Sequence, residues 1–156
     1  MAQKKPLVLN SGQMEQLQSG DYIAGIDLPQ LTNDEAGAIV IGTPVYVDAN
    51  DGVKKAKADA VGTANVIGLV AEVSISNGAV GGIQTDGILA ATTGQWDAVA
   101  GTSGGLTKDT WYYLSAATAG LITATAPSAA GQFVKPIGIA ISTTEMKIDI
   151  GHRIKL

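Results

Sequence analysis

Tyr46-Val47-Asp48-Ala49, Gly52-Val53 and Ile67-Gly68-Leu69-Val70 return later in the chain as Tyr113-Leu114-Ser115-Ala116, Gly120-Leu121 and Ile137-Gly138-Ile139-Ala140. The copies lie 67 residues apart at the tyrosines and 70 apart at the Ile-Gly pairs, so a small insertion in the second copy accounts for the difference. Each unit reads as strand, glycine turn, strand, polar loop, buried strand. The glycine after each isoleucine marks a bulge or a close approach of backbones. Two such halves, about 37–91 and 104–156, either close one small barrel or make two similar lobes.

The surrounding sequence has the same β character. Short apolar runs are cut by Asn50-Asp51-Gly52, Ser76-Asn77-Gly78 and Asp86-Gly87, whose residues tolerate the positive φ of tight turns. Further strands are expected at Ala38–Ile41, Val45–Asp48, Val66–Val73, Ile88–Ala91, Trp111–Ser115, Leu121–Thr125 and Pro136–Ser142. At the C-terminus Met146, Ile148, Ile150, Ile154 and Leu156 take even positions, while Lys147, Asp149, Arg153 and Lys155 take odd ones. A period of two puts the apolar set on one face, with Gly151 free to bend the run. Helix is expected only in short turns, such as Ser11–Leu17. The fold class is therefore all-β: a small antiparallel barrel or sandwich with a weak internal duplication. Residues 1–30 read as an extended N-terminal arm, and 31–156 as the β domain.

Composition narrows the function. The chain has 156 residues, 15.8 kDa and a net charge of -4. At this size roughly 68–70% of the unfolded chain's surface can be buried. The absence of cysteine excludes zinc ribbons, iron–sulfur clusters, thiol catalysis and disulfide scaffolds. A single histidine, His152, excludes multi-histidine metal sites. The acidic balance opposes a phosphate-driven nucleic-acid binder. No apolar run approaches the roughly 18 residues of a membrane helix, and Pro6 to Leu9 is too short for a signal peptide. Charged residues make up only 15%, against roughly 25% in an average soluble domain. A surface so poor in charge suits a subunit covered by partners.

Sites of chemistry are hard to find. His152 falls in the even, apolar series of the last strand, and no serine sits in a nucleophile motif, so the histidine reads as structural or interfacial. Gly101-Thr102-Ser103-Gly104-Gly105 lacks the order of a phosphate loop and reads as a surface loop. Asp48-Ala49-Asn50-Asp51-Gly52 resembles a calcium loop only superficially, because its glycine comes one place early and the closing glutamate is missing. Lys54, Lys55 and Lys57 read as solvated lysines that discourage edge pairing. Trp111, Tyr112 and Tyr113 are the aromatic cluster and the candidate subunit contacts. Along a strand one face of it fills the core and the other meets a neighbouring subunit, a reading preferred over a glycan platform. No cofactor or metal is implied.

Two stretches carry a resemblance. Lys5-Pro6-Leu7-Val8-Leu9-Asn10-Ser11-Gly12, followed by Glu15-Gln16-Leu17-Gln18-Ser19-Gly20-Asp21, resembles the opening segment of bacteriophage head-decoration, head-fibre and tail-fibre proteins. Gly104-Gly105-Leu106-Thr107, Trp111-Tyr112-Tyr113-Leu114-Ser115, Gly120-Leu121-Ile122-Thr123, Gly131-Gln132-Phe133-Val134 and Pro136-Ile137-Gly138-Ile139-Ala140 are similar to a β-module of the same proteins. Lys108-Asp109 replaces its usual turn Gly or Pro. Gly42-Thr43-Pro44-Val45-Tyr46-Val47-Asp48 looks like the small barrel of capsid cement proteins. The resemblance implies a non-enzymatic virion protein, made in the host cytoplasm and carried on the capsid exterior, commonly as a homotrimer. Its expected partners are the major capsid protein and itself, with no nucleic acid or membrane. The arm, about Lys4 to Gly20, is the expected shell contact: Leu7, Val8 and Leu9 as an added strand, Lys4 and Lys5 towards acidic groups. The alternative is a tail-fibre or receptor-binding component that attaches to the tail and contacts the host.

Overall fold

In the computed structural model the residues described are 28–156, together with the backbone of 7–10 and 13–16. Strands β1 (Leu7–Asn10) and β2 (Gln13–Gln16) pair antiparallel, Leu9 opposite Met14. Next come β3 (Gln30–Thr32), β4 (Ile39–Val40), β5 (Pro44–Val47), β6 (Val53–Lys55), β7 (Gly68–Val70), β8 (Ser74–Ile75) and β9 (Val80–Gln84). The second half holds β10 (Gly87–Ala90), helix α1 (Thr93–Ala100), β11 (Trp111–Leu114), β12 (Ile122–Thr123), β13 (Phe133–Val134), β14 (Pro136–Ala140), β15 (Glu145–Ile148) and β16 (Ile154–Lys155).

Two five-stranded antiparallel sheets form the body, in the orders β6-β5-β7-β9-β3 and β12-β11-β14-β15-β10. The orders match strand for strand once the small pairs β4–β8 and β13–β16 are set aside. The register matches too. Val45 faces Gly68 across β5 and β7, as Tyr112 faces Gly138 across β11 and β14. Pro44 faces Leu69 as Trp111 faces Ile139. The duplication read from the sequence is therefore present in the sheets. Sheet membership divides the chain between Gln84 and Gly87, so β10 belongs to the second half and not to the first, as the span 37–91 had it.

The paired glycines have a common cause. A Cβ on Gly68 would lie 2.6 Å from the carbonyl oxygen of Gln84, and one on Gly138 would collide with the carbonyl oxygen of Lys147. Gln84 and Lys147 are themselves equivalent, each lying across the sheet from the residue after the glycine. Neither position can accept a side chain without spreading two strands. A bulge between Tyr112 and Tyr113 accompanies the second glycine.

Neither sheet closes into a barrel. One face of the first sheet buries Val45, Val53, Val70 and Ile83 beneath Ile39 and Ile75 of the β4–β8 pair. The second sheet buries Tyr112, Leu114, Ile137, Met146, Ile148 and Leu89, with Trp96 and Val99 of α1. That core also takes in Ile41, Ala56, Ala58, Ala64, Val66 and Leu69 from the first half. Backbone bonds fasten the halves: Ala58 N–H donates to Ser115 O (2.9 Å), Gly120 N–H to Ala56 O (2.8 Å) and Phe133 N–H to Ala58 O (2.9 Å). The halves are joined through one core rather than standing as separate lobes.

Three local expectations change. Gln13–Gln16 is a strand, not part of a helical turn. The helix lies at Thr93–Ala100, where Thr92 and Gln95 form a reciprocal capping box and Gly101 closes the end with φ 64°. The C-terminal alternation holds through Met146 and Ile148, both buried, but ends at Gly151. There the chain turns away, Ile154 pairs with Val134, and His152, Ile154 and Leu156 are exposed. Most of the expected arm lies outside the described residues.

Gly68→Ala and Gly138→Ala are each expected to cost about 1–3 kcal/mol through forced displacement of the neighbouring strand. Chemical denaturation of the two variants checks this. Near-neutral values for both would contradict the shared steric constraint.

Candidate interaction surface

The aromatic triplet on β11 is split by the strand period. Tyr112 points into the core and is fully buried, its Oη accepting a hydrogen bond from Thr107 N–H at 3.0 Å. It therefore cannot serve as a subunit contact, contrary to the expectation that grouped it with its neighbours. Trp111 and Tyr113 face outward, and Trp111 is 40% exposed.

Trp111 belongs to a row that crosses four of the sheet's five strands. Trp111 pairs with Ile139, Ile139 with Lys147, and Lys147 with Ile88. Ile88 is 55% exposed, Ile139 is half-buried, and Ile141 extends the exposed apolar surface. Single exposed apolar residues need no explanation, but several on one sheet face, here interrupted at its centre by Lys147, mark an interaction site. Shallow open depressions flank it. One, of about 360 Å³, is lined by Trp111, Tyr113, Pro136, Asp149 and Gly151. The other, of about 240 Å³, is lined by Lys108, Asp109, Ile139, Ala140 and Ile141.

Next in the chain to Pro136 of the first depression is a buried lysine. Lys135 Nζ donates to Gly151 O at 2.6 Å, tying the turn after β15 to the start of β14. Burial, and secondarily the charge of Arg153, holds its pKa below the ordinary 10.5. No local pattern marks this residue, because a lysine beside Phe133-Val134 reads as solvent-facing.

The other sequence features have structural roles. Asp48-Ala49-Asn50-Asp51-Gly52 is the β5–β6 hairpin turn, with Asp51 at φ 64°. Asp48 accepts from Asn50 N–H (2.9 Å) and pairs with Lys54 at 3.0 Å. Lys54 and Lys55 lie on β6, an edge strand, and Lys57 pairs with Asp59 at 2.8 Å. The glycine-rich loop wraps around a carboxylate of the protein itself. Asp97 of α1 accepts from Gly105 N–H and the Thr102 hydroxyl, both at 2.8 Å, and from Gly104 N–H at 3.0 Å. Among the described residues no group of three or more His, Cys, Asp or Glu gathers to hold a metal, and no helix is long and apolar enough to cross a membrane. Lys4 and Lys5 lie outside the described residues. Leu7, Val8 and Leu9 lie on β1, paired along their backbone with β2.

No protein-family profile matches the chain, and no curated protein matches it.

The Asp97 cluster gives a prediction. The bond from Gly105, then those from Thr102 and Gly104, hold its carboxyl below the ordinary 3.8 in spite of partial desolvation. A depressed folded-state pKa contributes stability that is complete above the unfolded value and disappears as pH falls through the folded value. Asp97→Ala is thus expected to lower the melting temperature at pH 7. Thermal melts from pH 7 to pH 2 should show the gap from wild type narrowing only below the ordinary carboxylate range. A gap independent of pH would contradict the role given to the charge.

Proposed function

We propose that this chain is a virion structural protein that decorates a bacteriophage capsid and stabilises it by bridging neighbouring capsid subunits. The observation that carries the reading is the group of apolar side chains Trp111, Ile88 and Ile141 exposed on one face of the second sheet, on a chain that is poor in charge and built from two β modules. Such a body is suited to permanent contact with other subunits rather than to solution chemistry. The resemblance of residues 5–12 and 15–21 and of the Trp111-containing module to phage head-decoration, head-fibre and tail-fibre proteins supplies the setting. In this reading the protein acts without catalysis, as a homotrimer on the outside of the shell. Residues 4–20 engage the capsid protein, with Leu7, Val8 and Leu9 adding as a strand and Lys4 and Lys5 meeting acidic groups. Three arms on one trimer turn modest contacts into firm attachment.

A second reading is favoured by the depression beside Trp111 and Tyr113, where two aromatic rings lie near the Asp149 carboxylate. Aromatic faces flanked by a carboxylate suit a glycan, as in a tail-fibre or receptor-binding component.

Purified protein mixed separately with undecorated capsids and with tails distinguishes the two. Decoration predicts saturable binding to shells in multiples of three copies per site, lost on deletion of residues 2–20. Binding confined to a few copies on tails would replace it with the host-contact reading. Full shell binding by the truncated protein would overturn the role of the arm.

A further inference from the structure

The two halves are stacked in the same sense, and the stack is unfinished. Each sheet carries a cap: in the first half β4 precedes the hairpin and β8 lies between β7 and β9, and in the second α1 lies between the first strand and the hairpin. In the first half the cap is the β4–β8 pair, with Ile39 and Ile75 against the sheet. In the second it is α1, with Trp96 and Val99. The α1 cap also meets the first half. A Cβ on Gly42 would lie 2.9 Å from the Trp96 ring and 3.2 Å from Val99, and Leu69, from the opposite face of the first sheet, is 0% exposed in the same core. The order is cap, sheet, cap, sheet, and then nothing among the described residues.

Equivalent positions show what is missing. The row Pro44–Leu69–Gln84 lies where the second sheet has Trp111–Ile139–Lys147. In the first half Pro44 and Leu69 are buried and Gln84 is half-buried. In the second half the same face is open. At the opposite end of the stack the β4–β8 cap exposes apolar residues as well: Val40 is 39% exposed, and Val73, whose carbonyl accepts from Ile41 N–H, is 69% exposed. Charges of opposite sign stand at the two ends: Lys147 is exposed in the middle of the open row, which Asp109 and Asp149 border, and Glu72 is exposed beside Val73, its Oε1 accepting from Gly82 N–H at 2.9 Å.

We propose that the open face of the second sheet receives the β4–β8 cap of a second copy of this chain. The contact continues between molecules the stacking that joins the two halves within one. It is head-to-tail, so it generates a closed ring when its rotation closes and a filament when it does not. The inference stands on the internal duplication and is independent of any capsid.

Sedimentation velocity of the full chain, from low to high micromolar concentration, tests it. Wild type is expected to self-associate. Trp111→Glu on the open face and Val73→Lys on the cap should each weaken association by about tenfold or more. Mixed together, the two variants should form a one-to-one dimer, because one retains an intact cap and the other an intact face. Circular dichroism establishes that each variant is folded, and Ile88→Lys replaces Trp111→Glu if that substitution disturbs the sheet. A monomeric wild type across the range would overturn the proposal. Association lost in Trp111→Glu but retained in Val73→Lys would also overturn it, by assigning the open face to another occupant such as the N-terminal segment. Failure of the variants to complement would do the same by indicating a symmetric contact.

Discussion

The structure depends on Leu69 and Gly42 of the first half meeting Trp96 and Val99 of the second. A five-stranded sheet of strands two to five residues long has little core of its own. Each half of this chain would leave one broad apolar face in water. The contact at Gly42 has no room for a side chain, so the helix seats directly on the backbone of the first half. The hydrogen bonds of Ala56 and Ala58 to Gly120, Ser115 and Phe133 then fix the spacing. Burial of apolar area scales with contact, and sharing one core between two small sheets is how this chain gains enough of it.

Duplicated modules placed head to tail cannot be equivalent. The same row of the same sheet is buried in one copy and open in the other, and its residues differ accordingly: Pro44 and Leu69 against Trp111 and Ile139. The large aromatic is on the copy that has no neighbour in the chain. That asymmetry, more than any polar cluster, gives the molecule a functional direction. It separates a surface available for protein contact from the N-terminal residues that the decoration reading assigns to the shell.

Much of this architecture is legible in the sequence because it rests on short-range rules. The Tyr and Ile-Gly repeats, the Asn-Asp-Gly turn and the alternation through Met146 and Ile148 each follow from period two or from positive-φ turn chemistry. What escapes notice depends on distant partners. The strand Val80–Gln84 is not among the expected strands, and its glycines fit against Ile75 and Leu28. Helix α1 is only eight residues long, without a strong apolar stripe, so its capping box was the one available signal. The alternation fails after Gly151 because the tie from Lys135 turns the chain, and nothing local announces it. The strand period splits the aromatic cluster, with Tyr112 in the core and Trp111 and Tyr113 outward, and it is the shared core that takes the Tyr112 face.

The central claim is that the two sheets form one cooperative unit through the Leu69–Trp96 layer. Native-state hydrogen exchange measures this most directly. The account predicts that the amides of β5 and β7 and those of β11 and β14 open with the same free energy and the same denaturant dependence, as one unit. Exchange of β5 and β7 through a separate, lower-energy opening, with β11 and β14 still protected, would contradict it.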